Sequence, residues 1–452
     1  MNVDHIFRAY DIRGIVGEDL TEEVINRIGK AFAVFIRKRG HDVVAVGGDI
    51  RGTTSELQRS LINGITEMGV NVHLVETGPL GLALFESFDR KLGASAFVTA
   101  SHLPPEWNGV KFYWGEGIGF SPEENEEIHD LFRQNEFAPA EKQGTVEKVS
   151  TYQRYVEYLK DKFAFEKDHV IGVDCGNGAT SVIMPQLFED LGFKVYSIFD
   201  EPDPTFPNRT SEPNAESLKK FGEFLKTKTV EFGAGFDGDG DRCVFTDENG
   251  QVIPSDNAGL IIAEYLVKTS GNPRVIINEE CSKIVEDELK KMGAEVKRIR
   301  VGHSFLSLEA KATNSIWGIE ASGHAVAPEI FLFDDALILP LLMAKALEYH
   351  GKPLSELNSK IPSSVRQRFD LKCNDSVKFE LVEKLTKIYK ERYAQVSTLD
   401  GVSVTLPEGR VLVRVSNTSP KIRVTVEALN QEDFENLQKR FLPEIQDMIN
   451  GS

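Results

Sequence analysis

One pattern recurs three times at domain-scale spacing, and it limits the fold more than any other feature. A strand-like run at 43–46 leads into a helix-like stretch ending Glu67-Met68-Gly69, followed by a second strand-like run at 70–75. The same order returns at 170–173, Asp190-Leu191-Gly192 and 193–198, and again at 275–277, Lys291-Met292-Gly293 and 294–299. Glycine suits the left-handed stop after a helix. A strand, a crossover helix and a second strand imply parallel pairing with a right-handed connection. Copies separated by about a domain length predict three related α/β domains, not a short-period solenoid.

The chain after about Arg366 reads differently. A helical stretch at 377–392 precedes two alternating strands at 410–415 and 422–426, then a final helix, which predicts a small α+β domain. Polar, Pro- or Gly-bearing stretches at 134–150, 247–256 and 351–366 read as boundaries. The expected division is 1–148, 149–252, 253–365 and 366–452 around a central cleft, consistent with 452 residues being too many for one core. Near the N-terminus, Glu22 and Glu23 start and Arg37 to Arg39 end a helix that Gly40 stops.

Composition sets limits on function. A net charge of −18 argues against a nucleic-acid surface or an anionic membrane as partner. The most apolar stretch, 330–347, is broken by Asp334 and Asp335 and predicts no membrane span. The start of the chain lacks the basic and apolar regions of a secretory signal. Cys175, Cys243, Cys281 and Cys373 form no paired motif and read as reduced thiols, so the expected location is the cytoplasm. An anionic ligand would need positive charge concentrated locally.

Four stretches carry chemistry. The first is Thr99-Ala-Ser-His-Leu-Pro-Pro-Glu-Trp-Asn-Gly-Val-Lys111, which follows an apolar strand. It offers the hydroxyl of Ser101, the imidazole of His102 and, across the Asn108-Gly109 turn, the amine of Lys111 at the end of a strand. The bland reading, a capped loop with a solvated lysine, weighs about as much on this stretch alone.

The second is Gly235-Phe-Asp-Gly-Asp-Gly-Asp-Arg242. Alternating glycines let Asp237, Asp239 and Asp241 converge on one hard cation, and three carboxylates without one repel. Glu248 stands where an EF-hand needs its twelfth ligand, but Arg242 stands at the sixth position, where that loop needs glycine. Oxygen ligands in small number suit Mg²⁺ better than Zn²⁺. Arg242 can grip a phosphate with two parallel hydrogen bonds.

The third, Gly318-Ile-Glu-Ala-Ser-Gly-His324, puts Glu320, Ser322 and His324 on a Gly-bounded loop, where an acid and a hydroxyl suit vicinal hydroxyls and the imidazole suits proton transfer. His303 in Val301-Gly-His-Ser304 is weaker, and a structural role is favoured for it. The fourth, 410–426, holds Arg410, Arg414, Lys421 and Arg423 with no carboxylate. Its centre, Ser416-Asn417-Thr418-Ser419-Pro420, makes a hydroxyl-rich turn between strands, a phosphate cradle. In Phe7-Arg-Ala-Tyr-Asp-Ile-Arg-Gly14, Arg13 is a candidate anion ligand, as is Arg51, with a plain surface role equally open for both.

In this order the motifs resemble the α-D-phosphohexomutases over nearly the whole chain. The resemblance implies three α/β domains and one α+β domain around a cleft, Mg²⁺ as cofactor, and a phosphorylated sugar as partner. Ser101 would carry a phosphoryl group, and Mg²⁺ would be held by it with Asp237, Asp239 and Asp241. Lys111 and His324 match acid/base positions, and Glu320 and Ser322 the pair that binds sugar hydroxyls. Arg414, Ser416, Asn417 and Thr418 match the holders of the non-reacting phosphate, with Arg423 beside them. Tyr10 and Arg13 match positions lining the cleft. The implied reaction interconverts hexose 1- and 6-phosphates through a hexose 1,6-bisphosphate.

Several positions depart from the family pattern. Leu103 follows Ser-His where Asn is usual, Gly78-Pro-Leu-Gly81 replaces a Thr-Pro turn, Ser307 stands where Lys is common, and Ser419 where Glu is common. None removes the nucleophile or a metal ligand. They bear on rate and on the choice among mannose, glucose, glucosamine and pentose phosphates. A sugar-phosphate binding protein without turnover is the competing class. The sequence leaves the oligomeric state open.

Overall fold

A computed structural model of the chain describes residues 3–416 and 420–451. Three mixed sheets and one antiparallel sheet account for its strands. In the first sheet the order is Ile12–Ile15, Trp107–Trp114, Ala94–Val98, Val43–Gly48, Asn71–Val75 and Val146–Val149. The second runs Cys243–Asp247, Phe232–Phe236, Val170–Asp174, Lys194–Ile198, and the third Ala325–Val326, Trp317–Ile319, Arg274–Asn278, Glu295–Ile299.

These sheets share one core topology. A central strand pairs in parallel with the strand after the crossover and with a third strand, which then turns back antiparallel. The three expected glycines, Gly69, Gly192 and Gly293, take φ of 80°, 87° and 94°, so only a residue without a Cβ sits there at no cost. The second crossover differs from expectation. It is a 3₁₀ turn, Ala179–Val182, and a short helix, Gln186–Asp190, because Pro185 interrupts the stretch.

The fourth sheet is wholly antiparallel, in the order Val365–Lys372, Lys421–Ala428, Gly409–Val415, Val402–Leu406, Val396–Ser397, with helices Lys378–Arg392 and Gln431–Asn450 over its apolar side. Three of these strands lay outside the sequence reading, as did Val146–Val149, which sits within a stretch read as a boundary. The edge strands Val146–Val149 and Val365–Lys372 expose three of four and four of eight side chains and fully bury none, so the apolar signal that marks a strand is weak in them.

Helix Glu22–Arg37 illustrates how local rules set the elements. Thr21 caps it by accepting from the Val24 amide at 3.2 Å, Glu22 and Glu23 face the positive end of the dipole, and Ile25, Ile28, Phe32 and Ile36 form the buried stripe. That stripe closes a core beneath the first sheet. A second core runs without a break from helix Leu80–Arg90 through the second sheet to the third and helix Leu339–His350. The three α/β units therefore share apolar packing, which fixes their loops relative to one another. Among the described residues no helix is long and apolar enough to cross a membrane.

Candidate active site

The four stretches singled out in the sequence occupy equivalent places. Each joins two antiparallel neighbours: 99–106 in the first sheet, 237–242 in the second, 320–324 in the third, and 416–420 in the fourth. The repeat of the fold is thus also a repeat of the site.

Ser101 stands at the apex of its loop, buried, with φ of 51°, a left-handed conformation that costs a non-glycine residue about 1 kcal/mol or more. Buried bonds hold it there. Its amide donates to Thr99 Oγ1 at 2.8 Å, and its carbonyl accepts from Arg51 Nη2 at 2.7 Å. Arg51 also donates to the carbonyls of Leu103, Pro104 and Trp107 and pairs with Asp49 at 3.0 Å. Arg51 is therefore neither a surface residue nor a ligand cation, as the sequence suggested, but a buried clamp on the serine loop.

The metal loop meets this apex directly. A Cβ on Gly238 would stand 2.4 Å from the Ser101 carbonyl oxygen, so the two loops approach this closely only with glycine there. Ser101 Oγ donates to Asp237 Oδ2 at 3.2 Å, and His102 Nδ1 lies 3.4 Å from the same hydroxyl. Asp237 Oδ1 accepts the amides of Gly240, Asp241 and Arg242 at 3.0 to 3.2 Å, leaving Oδ2 for the site. Ligand atoms of Asp237, Asp239 and Asp241 lie within 4.8 Å of one another, all buried. Among the described residues, Oδ1 of Asp239 and of Asp241 have no hydrogen-bond partner. Buried carboxylate oxygens left open in this way fit a divalent cation taking oxygen ligands. Burial first, then Asp241 and Asp239, push the Asp237 carboxyl well above its ordinary range. Glu248 is occupied elsewhere, accepting from the Ser355 amide and hydroxyl, so the EF-hand competitor does not form.

Lys111 enters from the first sheet, buried, with Nζ 2.9 Å from Asp239 Oδ2 and 2.5 Å from Asp241 Oδ2. Burial disfavours its charge, but those two carboxylates win and hold it well above the usual amine range. Arg242 Nε donates to His324 Nε2 at 2.8 Å, and His324 Nδ1 lies 2.8 Å from Asp334 Oδ2. A guanidinium can only donate, so Nε2 carries the lone pair and Nδ1 the proton facing Asp334. Burial pushes the His324 imidazole down to about 4, making it neutral near pH 7. His102 is also neutral, held far below its ordinary value by Arg242, burial and Arg13.

Sequence reasoning missed part of this constellation. Asp334 registered only as a charge in an apolar stretch, yet it is buried between His324 and His303, 3.7 Å from the latter. His303, favoured as structural, stacks on His324 with centroids 5.7 Å apart and belongs to the site. The signal available was a doubled aspartate inside a run otherwise fit for a core. Asp335 accepts from Tyr155 Oη at 2.6 Å, and a Cβ on Gly81 would strike its carboxylate at 2.6 Å. The unusual Gly78-Pro-Leu-Gly81 turn thereby makes room for it. Leu80 donates to the Asp239 carbonyl at 2.9 Å and braces the metal loop.

Glu320 accepts the Gly302 amide at 2.7 Å and the Ser322 hydroxyl at 3.0 Å. Tyr10 Oη reaches the Val301 carbonyl at 3.5 Å, and Arg13 pairs with Asp11 at 2.5 Å. In the fourth sheet, Arg414 and Arg423 are directly opposite across the hairpin, and Lys378, unremarked in the sequence, donates to the Ser416 carbonyl at 2.6 Å. Asn417, Thr418 and Ser419 lie outside the described residues.

Family models match all four units: phosphoglucomutase/phosphomannomutase alpha/beta/alpha domain I over residues 4–139, domain II over 153–250, domain III over 254–364, and the C-terminal domain over 370–444. A probable phosphoglucosamine mutase of Methanopyrus kandleri is 33% identical over 96% of this chain and 96% of its own. A phosphomannomutase/phosphoglucomutase of Pseudomonas aeruginosa is 31% identical over 96% and 94%. A crystal structure of a family protein from Burkholderia thailandensis superposes with a TM-score of 0.92 at 28% identity, covering 99% of this chain and 98% of that one. Four matching units in order, on a site built from their equivalent loops, make the chain a member of the phosphoglucomutase/phosphomannomutase family, an α-D-phosphohexomutase.

Proposed function

We propose that the protein interconverts hexose 1-phosphates and hexose 6-phosphates of mannose and glucose through a phosphoserine at Ser101. The observation that carries this reading is Ser101 Oγ at the strained apex of a clamped loop, 3.2 Å from one of three convergent buried carboxylates. The repeated loops and the relatives named phosphomannomutase/phosphoglucomutase support it.

In the first half-reaction the bond from Ser101 Oγ to phosphorus breaks as a free sugar hydroxyl bonds to phosphorus, giving a hexose 1,6-bisphosphate. That intermediate turns over in the cleft and returns its other phosphoryl to Ser101. Mg²⁺ held by Asp237, Asp239 and Asp241 would neutralise charge on the transferring group. Arg242 would supply two parallel donors to the same oxygens. His324, neutral through burial, is suited to take the proton of the attacking hydroxyl at Nε2 once Arg242 Nε leaves that lone pair for the phosphoryl oxygens, and the cationic Lys111 to stabilise the departing serine oxygen. Glu320 and Ser322 would orient the sugar. Arg414, Ser416, Asn417 and Thr418, with Arg423 beside them, would hold the phosphate that does not react, and Tyr10 and Arg13 would line the cleft.

Glucosamine phosphate is the second reading, favoured by the Methanopyrus kandleri relative at 33% identity. Phosphorus NMR decides, with Mg²⁺, a trace of glucose 1,6-bisphosphate, and glucose, mannose or glucosamine 1-phosphate as parallel substrates. Conversion of the first two supports the primary reading. Conversion of glucosamine 1-phosphate alone moves the substrate and keeps the mechanism. No conversion by folded protein overturns both.

A further inference from the structure

We infer that Glu280 is a built-in competitor of the ligand phosphate: its carboxylate occupies Arg414, and a phosphoryl group must displace it to bind. The inference rests on the reading of Arg414 as part of the phosphate cradle.

Arg414 and Arg423 are directly opposite residues of an antiparallel pair, so their side chains share one face. Like charges in that position destabilise the hairpin unless an anion stands between or against them. No carboxylate of the hairpin's own 410–426 stretch is available. Elsewhere in the fourth unit, Asp400 Oδ2 lies 3.2 Å from Arg414 Nε and Asp370 Oδ1 3.8 Å from Arg423 Nε, and a further carboxylate reaches Arg414 from the third unit. Glu280 follows the strand Arg274–Asn278, and its Oε1 lies 2.8 Å from Arg414 Nη1, with Arg414 itself buried. Burial works against the Glu280 charge, but Arg414, with Arg423 and Arg368 behind it, holds the carboxyl below its ordinary range.

Contacts between the third and fourth units fall into two groups. Near the connecting segment, Glu427 accepts the Lys283 amide at 2.9 Å and the Ser364 hydroxyl at 2.9 Å, and Arg366 donates to Asp256 at 2.6 Å. These surround the point where the chain crosses between units and can persist through a hinge motion. Away from it, Asp400 accepts the Val301 amide at 3.1 Å, Arg300 Nε donates to the Leu399 carbonyl at 3.2 Å, and Glu280 meets Arg414. Of these distal groups, Asp400 and Glu280 both stand against Arg414: Asp400 Oδ2 lies 3.2 Å from Nε, and Glu280, from the third unit, takes Nη1 at 2.8 Å.

A phosphomonoester brings nearly twice the charge of a carboxylate and three strong acceptor oxygens. It can therefore take both arginines where Glu280 takes one edge of Arg414. Glu280 thus sets affinity and favours dianionic phosphate over singly charged sugar acids, which gain little by the exchange.

The test is calorimetric titration of the whole protein with inorganic phosphate, beside the KM for glucose 1-phosphate, in wild type and Glu280→Gln. The expected result is phosphate binding about tenfold tighter in the variant, the scale of one charge-assisted hydrogen bond, with KM falling in parallel. Unchanged or weaker binding overturns the inference and makes Glu280 a support that orients Arg414. Absence of phosphate binding to either protein overturns it too. If neither protein turns over any sugar phosphate yet the variant binds phosphate more tightly, the inference stands and the proposed function falls. Hydrogen exchange on wild type covers a variant that fails to fold: phosphate should raise exchange at 279–282, and increased protection there contradicts displacement.

Discussion

Lys111 Nζ lies 2.5 Å from Asp241 Oδ2 and 2.9 Å from Asp239 Oδ2, so a buried amine from the first sheet neutralises two carboxylates of the second. Removing one partner of a buried ion pair leaves an uncompensated charge, at a cost of about 3–5 kcal/mol. Lys111→Met should lower the thermal midpoint in metal-free buffer. Because Mg²⁺ would take over the same carboxylates, it should restore more of that midpoint than it adds to wild type. Activity should fall in either buffer. Equal Mg²⁺ stabilisation of both proteins would contradict this coupling.

Arg51 ties four carbonyls and Asp49 into one buried knot beneath the serine loop. Arg51→Ala should cost about 3–5 kcal/mol, visible as an early thermal transition. Arg51→Lys should also be poor, since an ammonium cannot reproduce the planar fork. A folded, fully active Arg51→Ala protein would remove the clamp from the account.

Gly238 permits the contact between the serine and metal loops, because a Cβ would stand 2.4 Å from the Ser101 carbonyl. Gly238→Ala should push the loops apart by a fraction of an ångström and cost about 10²-fold in kcat, as small misplacements of reacting groups do. Circular dichroism should change little. Retention of wild-type kcat would show that the two loops need not touch.

Asp335 is fully buried, and burial pushes its carboxyl up to about 7 although Tyr155 and Leu337 donate to it. The folded state therefore binds a proton that the unfolded state releases near pH 4. Stability from this group is present at low pH and is lost as pH rises towards 7, by about 1.4 kcal/mol per pH unit. Asp335→Asn mimics the protonated acid, so its thermal midpoint should fall less than that of wild type between pH 5 and pH 7. Parallel pH curves for the two proteins would contradict the assignment.

The sequence announced the repeat, the metal loop and the serine loop because each depends on local chemistry: glycine at a left-handed stop, carboxylates at alternate positions, a hydroxyl where a strand ends. It did not announce Arg51, Asp334, His303 or Glu280. Their roles come from partners far along the chain, such as Arg51 with Ser101 or Glu280 with Arg414; of the four, Asp334 alone stands out in a local window, as one of two adjacent aspartates in an apolar run. The strand Val146–Val149 escaped for a related reason, its exposed edge carrying only two apolar residues, and in Val365–Lys372 the alternation of Val365, Phe369 and Leu371 is interrupted by Gln367 and starts inside a stretch read as a boundary.

In the proposed cycle Ser101 carries the phosphoryl group between half-reactions, and peptide mass spectrometry reads that group on the serine itself. The protein would be incubated with glucose 1,6-bisphosphate and Mg²⁺, quenched and digested, beside Ser101→Ala. The account predicts one phosphoryl increment on the Ser101 peptide, its loss when glucose 1-phosphate is then added, and neither label nor turnover in the variant. An unlabelled Ser101 peptide in protein that still converts glucose 1-phosphate, or turnover surviving in Ser101→Ala, would contradict it.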